Sequence, residues 1–322
     1  MSSSHFEGWM ERAISLAKRA QGNTWPNPLV GSLVIDGETI IGEGFHSKAG
    51  QAHAEVAAIE NALKRAKTLA GMTIVVTLEP CSTFGRTPPC CQRIITEKFS
   101  RIIIGCVDPN PKHAGKGFDI LRDAGIEVID DVLADECRSL NPSFHQKFSG
   151  PYCSSKAPRT VGSLKMVVSG GQTGVDRAAL DWAMDVGLPI RGWCPKGRTA
   201  EDGSIPECYP LVETSEEDSS ERTRLNVRDS DATLILATNS QLTGGTLLTQ
   251  QQAEAQSKPN LIITLANPLE ESVQKLDRFI EENNVGILNV AGPRLSEDAE
   301  AGAASFRLLD RFAQLRSSSL VS

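Results

Sequence analysis

Hydrophobic and polar positions alternate along the first half of the chain with periods that change between helical and extended. Apolar residues spaced three and four apart predict an amphipathic helix over residues 9–20. Residues 29–35 and 39–43 predict two strands joined at Asp36-Gly37, a strong hairpin signal. Helices and strands then alternate over 54–67, 73–78, 89–97, 101–107, 117–124 and 127–129. This alternation around one sheet predicts a three-layer α/β/α domain.

The second half repeats the alternation, and its strands are almost wholly apolar. Strands lacking a polar face are typical of a parallel sheet that helices cover on both sides. A doubly wound, mostly parallel sheet is therefore predicted. Its strands fall at 165–169, 232–237, 260–265 and 286–290, and its helices at 175–186, 220–228, 246–256, 269–282 and 297–316.

A stretch rich in Ser, Pro and Gly separates the two patterns. The segment SGPYCSSKAPRTVGS at 149–163 has no hydrophobic period, and a new strand–loop–helix pattern follows it directly. An ordered loop inside one domain is the alternative, but the fresh pattern favours a linker. We therefore expect a domain at 1–150, a linker at 151–163 and a second domain at 164–322, and 322 residues suffice for two cores.

Composition and charge narrow the class of protein. The chain is 40% hydrophobic and 23% charged, which is typical of globular proteins. A net charge of −7 lacks the basic surplus of a general nucleic-acid binder. No apolar run approaches the ~20 residues that span a membrane, and no secretory signal is visible. A cytoplasmic enzyme is expected, in which clustered cysteines bind metal or react rather than form disulfides.

The strongest chemical signal is His53-Ala54-Glu55 followed by Pro80-Cys81 and Pro89-Cys90. One imidazole and two thiolates can hold a zinc ion, which makes water nucleophilic near neutral pH. A glutamate that is not a ligand can then carry protons in a deamination. We predict zinc ligands at His53, Cys81 and Cys90 and a catalytic Glu55. Because eight residues separate the cysteines, the spacing is wider than in compact deaminase signatures, and buried thiols beside a core histidine are the alternative.

Six motifs in order, over about residues 8–148, resemble the pyrimidine deaminases of the riboflavin pathway. The resemblance implies a cytidine-deaminase-like fold and the zinc-dependent conversion of 2,5-diamino-6-(5-phosphoribosylamino)pyrimidin-4-one to the corresponding 5-aminouracil. Domains of this kind often associate as homo-oligomers. The motifs are Asn27-Pro28-Leu29-Val30-Gly31, Gly42-Glu43-Gly44-Phe45-His46, His53-Ala54-Glu55-Val56, Thr77-Leu78-Glu79-Pro80-Cys81, Gly85-Arg86-Thr87-Pro88-Pro89-Cys90 and Asp108-Pro109-Asn110-Pro111.

The same resemblance implies how the substrate is held. It places Asn27 and His46 at the base and ribose. Cationic and polar side chains suit a phosphate, although solvated surface charges are the alternative for the two cations. The chain departs from the family at Trp25 and Thr83, where histidine is usual. The residues implied for the ribose phosphate are Arg86, Thr87, Asn110 and Lys112.

Two glycine-rich turns in the second half each follow a predicted strand and open a helix: Gly170-Gly171-Gln172-Thr173-Gly174 and Thr243-Gly244-Gly245-Thr246. Glycines let a backbone approach an anion, and a helix N-terminus presents unpaired N–H groups to it. Two such loops on neighbouring strands would face one crevice. Neither is a dinucleotide-binding or ATP-binding loop, and a plain tight connection is the alternative for each.

With four further segments, these loops resemble the molybdenum carrier family over about residues 164–316. That family belongs to the Rossmann-like group that also contains the cytokinin phosphoribohydrolases. The further segments are Trp193-Cys194-Pro195-Lys196-Gly197-Arg198, Ala200-Glu201-Asp202-Gly203, Asn226-Val227-Arg228-Asp229-Ser230-Asp231 and Asn289-Val290-Ala291-Gly292-Pro293-Arg294.

This second resemblance implies a pocket for an oxyanion or a nucleotide phosphate. Three alternatives for this pocket stay open: it binds molybdate, it binds a phosphoribosyl compound, or it binds no ligand. Hydrolysis of an N-glycosidic bond by the second half also stays open. The favoured interpretation is a deaminase that carries a ligand-binding domain, and the alternative is a carrier protein whose first half is a scaffold. The implied pocket residues are Gly170, Gly171, Thr173, Gly174, Gly244, Gly245 and Thr246, with Lys196, Arg198 or Arg228 nearby.

Overall fold

The computed structural model describes residues 3–84, 88–111, 113–150, 152, 160–215, 219–239 and 241–318. Internal packing divides the chain into two compact units, Met1–Phe148 and Ser149–Ser322. Most of the predicted linker, at 151 and 153–159, lies outside the described residues, so the linker stays a prediction. Within the second unit, the backbone N–H of Tyr152 donates to the carbonyl of Cys208 at 2.9 Å, and Val161 pairs with Leu164.

The described residues of the first unit alternate strands and helices. The strands are β1 (Gly31–Asp36), β2 (Thr39–Phe45), β3 (Thr73–Leu78), β4 (Arg101–Cys106) and β5 (Glu127–Ile129). The helices are α1 (Ser3–Lys18), α2 (Ala54–Ala62), α3 (Cys90–Thr96), α4 (Lys116–Asp123), α5 (Ala134–Arg138) and α6 (Pro142–Gln146).

The five strands of this unit form one sheet in the order β2-β1-β3-β4-β5. β1 runs antiparallel to β2 and β3, whereas β3, β4 and β5 are parallel. The apolar side of α1, including Met10 and Leu16, packs on one face, and α2, α3 and α4 cover the other. The predicted three-layer class is confirmed. Because β3 and β4 are parallel, the residues that follow them, including Cys81 and Asp108, meet at one edge.

The second unit also alternates strands and helices. Its strands are β6 (Met166–Val168), β7 (Ile190–Arg191), β8 (Trp193–Cys194), β9 (Thr199–Ala200), β10 (Gly203–Ser204), β11 (Val212–Glu213), β12 (Ala232–Ala237), β13 (Asn260–Thr264) and β14 (Ile287–Ala291). Its helices are α7 (Val175–Val186), α8 (Ser219–Arg228), α9 (Gly244–Ala255), α10 (Leu269–Glu282) and α11 (Ala301–Ser318).

The main sheet of the second unit has the order β13-β12-β14-β6-β7, and every pairing in it is parallel. α7, α10 and α11 pack together, as do α8 and α9. The predicted parallel sheet is confirmed. The expectation that the two glycine-rich loops follow neighbouring strands is wrong, because the last strand, β14, inserts between β6 and β12. The connections that leave β6 and β12 run in opposite directions away from β14, and such a reversal leaves a crevice at the carboxyl ends of the strands.

Several short elements carry no signal in the sequence. α5, α6 and the two-residue strands β7–β11 are too short for a hydrophobic period to emerge. The helix predicted to begin at Glu297 begins at Ala301, because the Asp298 carboxylate accepts the N–H groups of Glu300 and Ala301 at its start. Among the helices of the described residues, none combines the length and apolar character needed to cross a bilayer.

Candidate functional site

The three predicted metal ligands come from three elements and meet at one point. His53 directly precedes α2, Cys81 follows β3, and Cys90 is the first residue of α3. Nδ1 of His53 lies 3.3 Å from Sγ of Cys90 and 3.6 Å from Sγ of Cys81. All three donor atoms lie within 4.8 Å of one another, so a single cation can contact them together.

The two thiols of this group differ strongly in acidity. A hydrogen bond from Cys90 lowers the pKa of Cys81 to about 4, and the backbone N–H of Cys90 donates to the same sulfur at 3.2 Å. The same contact raises the pKa of Cys90 above its ordinary value. A cation that binds the first thiolate favours loss of the second proton. One imidazole and two thiolates form a donor set that suits a tetrahedral zinc site.

Glu55 lies beside this group, in the first turn of α2. Its side chain is buried, and burial raises its pKa to about 7, with a smaller contribution from the Cys81 thiolate. It lies outside the three-atom donor group. A carboxyl group that titrates near neutral pH can both accept and donate a proton at a reaction centre.

A cavity of about 310 Å³ opens beside Glu55 and the donor group. This volume is at the lower end of those typical of small-molecule sites. The wall is polar on the side of the donor group and partly apolar elsewhere. The lining residues are Asn27, Pro28, Val30, His46, His53, Ala54, Glu55, Leu78, Glu79, Cys81, Asp108, Asn110, His113 and Phe144.

Asn27 and His46 contact each other in the wall of this cavity. Nδ1 of His46 lies 3.0 Å from the carbonyl of Ala52, and its Nε2 lies 3.1 Å from Nδ2 of Asn27. A carbonyl can only accept and Nδ2 can only donate, so His46 carries its proton on Nδ1 and accepts at Nε2. Burial lowers the pKa of His46, which favours this neutral form. The imidazole thus orients the Asn27 amide.

Of the four residues predicted to hold a ribose phosphate, the structure describes only Asn110. Arg86, Thr87 and Lys112 lie outside the described residues and remain predictions. Asn110 lines the cavity, and its backbone N–H donates to Oδ1 of Asp108 at 2.8 Å. The loop after β4 therefore brings Asn110 to the same cavity as the donor group.

Sequence reasoning missed several residues of the cavity wall. Asp108 and His113 belong to the loop after β4, and Asp108 stood in a recognised motif without an assigned role. Phe144 comes from α6, a five-residue helix that leaves no periodic signal. Burial raises the pKa of Asp108. Only the folded chain shows that these residues face the donor group.

A second, smaller cavity of about 80 Å³ lies in the crevice of the second unit. It is lined by three residues predicted for an anion: Gly170, Gly245 and Thr246. By helix geometry, the first N–H groups of α9, including those of Gly245 and Thr246, have no partner inside the helix. Side chains that sequence reasoning missed also line it, among them Asp176, Arg222, Asn226, Asn289 and Arg294.

Arg222 and Asp176 form the most buried ion pair of this cavity. Nη1 of Arg222 donates to Oδ2 of Asp176 at 3.2 Å, and the two side chains are 11% and 8% exposed. Burial raises the pKa of Asp176, and the nearby Arg222 opposes this shift. Nε of Arg222 is buried and has no hydrogen-bond partner among the described residues. Arg222 therefore places a positive charge in the cavity wall.

The cations expected beside the glycine-rich loops lie elsewhere. Lys196 is exposed, and Arg228 pairs with Asp229 on the surface. Neither lines the crevice in the described part of the chain. Arg198 is also absent from it, because its guanidinium is engaged in holding a loop, where it donates to the backbone carbonyls of Ile205, Pro206, Tyr209 and Leu211.

Gln172 of the first glycine-rich loop lines the crevice together with Gly170, whereas Gly171, Thr173 and Gly174 pack against their neighbours. Gly171 lies against Leu211, and Gly174 lies against the carbonyl of Pro293. The hydroxyl of Thr173 donates to the Glu201 carboxylate. In the second loop, Gly244 opens α9 but does not line the cavity. This loop, through Gly245 and Thr246, is therefore the more accessible of the two.

Comparisons with known proteins agree with both resemblances. Residues 3–106 match the model of the cytidine and deoxycytidylate deaminase zinc-binding region, and residues 167–313 match that of the circularly permutated YpsA SLOG family. Riboflavin biosynthesis protein RibD of Synechocystis is 50% identical over 135 residues, which cover 42% of this chain and 36% of the relative. RibD of Aquifex aeolicus is 43% identical over 166 residues, which cover 51% and 46%.

The two family models match residues on opposite sides of the boundary between the two units. The chain spans less than half the length of these RibD relatives. A crystal structure described as a molybdenum carrier protein, from Syntrophus aciditrophicus, is 43% identical with a TM-score of 0.46 and covers 47% of this chain and 95% of that one. Residues 3–106 thus form a cytidine deaminase domain, and residues 167–313 form a circularly permutated YpsA SLOG domain.

Proposed function

We propose that the first unit is a zinc-dependent deaminase. It hydrolyses 2,5-diamino-6-(5-phosphoribosylamino)pyrimidin-4(3H)-one to 5-amino-6-(5-phosphoribosylamino)uracil and ammonia. The observation that carries this proposal is the convergence of His53, Cys81 and Cys90 beside the buried Glu55 in one cavity. The identity to riboflavin biosynthesis proteins over this unit supports the phosphoribosyl-pyrimidine as substrate.

Proton transfer in this reaction falls to Glu55. When bound, zinc supplies the Lewis acidity that makes water a nucleophile at neutral pH. Glu55 takes a proton from the attacking water and passes it to the ring nitrogen beside the carbon under attack. It then takes the second proton of that water, from the hydroxyl now bonded to the ring carbon, and gives it to the departing amino group. The C–N bond breaks, a carbonyl forms and ammonia leaves. Its pKa of about 7 suits both directions of transfer.

Asn27 and the polar residues of the cavity rim hold the substrate. Because His46 accepts from Nδ2 of Asn27, the Asn27 amide oxygen can accept a hydrogen bond from the base. We assign the ribose phosphate to Arg86, Thr87, Asn110 and Lys112. The two cations among these residues provide the charge that a phosphate requires.

Ammonia release from the diaminopyrimidine phosphate tests this function directly. We expect about one zinc per chain, turnover that a chelator abolishes, and its recovery when zinc is restored. The same pyrimidine without its 5-phosphate serves as the matched control, and its KM should be higher. A zinc-loaded protein that releases no ammonia from the phosphorylated substrate contradicts the proposal.

The second unit has a candidate function of its own, the binding of an oxyanion or phosphate group in the crevice. The observation that favours it is Arg222, which lines the cavity together with Gly245 and Thr246 and whose buried Nε has no hydrogen-bond partner among the described residues. A side chain on Gly170 would collide with this guanidinium, since its Cβ would lie 2.0 Å from Nη1. The glycine therefore provides the space in which Arg222 sits.

Calorimetric titration of the full chain with molybdate, inorganic phosphate and AMP tests this second function. We expect one of the three to bind with a stoichiometry of about one, and Arg222→Gln to weaken it at least about tenfold because a charged hydrogen bond is lost. Arg311→Gln, which removes a surface arginine paired with Glu270, is the control. Release of ribose 5-phosphate from a nucleotide would instead indicate N-glycosidic hydrolysis. If none of the three anions binds, the second function is wrong.

A further inference from the structure

Glu79 joins two loops at the edge of the first sheet. Its side chain is buried, with 4% of the residue exposed, and lies two positions before the metal-ligand candidate Cys81. Its carboxylate accepts three backbone N–H groups: Oε2 from Asp108 at 3.1 Å and Gly115 at 3.0 Å, and Oε1 from Gly117 at 2.8 Å. The loop between β4 and α4 is thus attached to the segment that carries Cys81.

The same carboxylate caps α4 from outside the helix. Gly115 is the N-cap residue of α4 and offers no side chain to its first turn. Two N–H groups at this helix start, those of Gly115 and Gly117, are satisfied by Glu79 instead. A carboxylate here is also favoured by the positive end of the helix dipole. The position of the loop therefore depends on one side chain that directly follows β3.

The packing around Gly117 fits this arrangement closely. A Cβ on Gly117 would lie 2.7 Å from the carbonyl oxygen of Pro80 and 3.0 Å from Oε1 of Glu79. The thiol of Cys91 also donates to the Pro80 carbonyl, at 3.4 Å. No space is left for the start of α4 to shift towards the metal-ligand segment. The carboxylate and the glycine together define one position of the loop.

The loop held in this way forms one wall of the cavity. Asp108, Asn110 and His113 all lie on it and line the cavity, whereas His53, Cys81 and Glu55 line another part of the wall. We propose that Glu79 is a positioning residue for substrate binding, which fixes the loop of Asp108 and Asn110 relative to the metal-ligand candidates. This inference rests on the proposed deaminase function.

Glu79→Gln tests the inference on the zinc-loaded full chain. Glutamine has the same shape but only one acceptor oxygen, and its NH2 group faces an N–H donor. We expect amide hydrogen exchange at Asp108, Gly115 and Gly117 to become at least about tenfold faster. KM for the diaminopyrimidine phosphate should rise about tenfold while kcat changes less than about threefold. Zinc content should stay at the wild-type value.

A second variant and a matched control guard against an uninformative result. Gly117→Ala should show the same changes, although alanine is the better helix former, because its methyl group displaces the carboxylate. Glu97→Gln, which loses an ion pair with Arg93 on α3, should change neither exchange nor KM. If the wild type does not deaminate, the proposed function fails, and calorimetric Kd for the same compound replaces KM. Unchanged exchange, or faster exchange with unchanged substrate affinity, overturns the inference.

Discussion

The side-chain amide of Asn141 pairs with the backbone of Leu29 across 112 positions of the sequence. Its Oδ1 accepts the N–H of Leu29 at 2.6 Å, and its Nδ2 donates to the carbonyl of Leu29 at 2.9 Å. Leu29 follows the segment that places Asn27 in the cavity, and Asn141 directly precedes α6, which contributes Phe144. One amide thereby joins two parts of the cavity wall.

Asn141→Ala should loosen this wall. The half-buried N–H and carbonyl of Leu29 would lose their side-chain partners, which costs about 1–3 kcal/mol of unfolding free energy. We also expect a higher KM, because Asn27 is no longer held in place. Urea unfolding and steady-state kinetics measure the two effects. Gln92→Ala, at an exposed position of α3, is the control, and equal behaviour of the two variants would remove this role from Asn141.

Substitution of single cysteines should distinguish the metal-ligand candidates Cys81 and Cys90 from the adjacent Cys91. Cys81→Ser and Cys90→Ser each remove one donor of the group, so zinc content should fall well below one per chain. Cys91 is adjacent in sequence, but its buried thiol donates to the Pro80 carbonyl and burial raises its pKa to about 12. Cys91→Ser should therefore retain zinc, as measured by atomic absorption. Loss of zinc from all three variants alike would contradict this ligand assignment.

Glu55→Gln should keep the metal and lose turnover. The amide cannot carry a proton, and removal of a general acid–base group typically costs about 100-fold to 10,000-fold in rate. Zinc content should stay near the wild-type value, because the carboxylate lies outside the donor group. Glu60→Gln, at an exposed position of the same helix, is the matched control for ammonia release. Full turnover by Glu55→Gln would assign proton transfer to another group.

Strong local patterns made much of the fold predictable. β3, α7, β12 and α10 begin and end where the apolar periods predict, because each buries an apolar side. β5 also has its predicted bounds, although its residues are exposed or half-buried. The donor group was also predictable, since its three residues lie in short motifs of distinctive chemistry. Their mutual distances could not be read from the sequence, because they depend on how β3 aligns with the starts of α2 and α3.

The residues that escaped prediction act through long-range contacts. Asn141 and Glu79 are ordinary polar residues in the sequence, and their partners lie 29 to 112 positions away. In the second unit, Arg198 was predicted to serve an anion because arginine suits that task, yet its donors are used by loop carbonyls. Arg222 lies in an ordinary helical pattern. Residue type alone does not show whether a guanidinium still has a free donor.

His145 should make the first unit sensitive to acid. Burial, with a smaller contribution from Arg138, lowers its pKa from the ordinary 6.5 to about 4. As the pH falls, the unfolded chain therefore binds a proton at His145 at a higher pH than the folded chain does. The contribution of neutral His145 to stability is lost as the pH falls from about 6.5 to 4. Urea unfolding should show His145→Gln gaining stability relative to the wild type between pH 7.5 and pH 4.5. His5→Gln, at an exposed position of α1, is the control.

Substitutions of Arg198 and Arg222 should differ in their effect on anion affinity. Arg198→Ala leaves four loop carbonyls without their donor, so we expect a loss of about 2 kcal/mol or more in unfolding free energy. Its anion affinity should stay within about twofold of the wild type, since the side chain lies outside the crevice. Arg222→Gln should instead weaken anion binding, and it should also lower the unfolding free energy because the buried Asp176 carboxylate loses its partner. Calorimetry and urea unfolding on both variants separate the roles, and an equal loss of affinity in both would return Arg198 to the anion site.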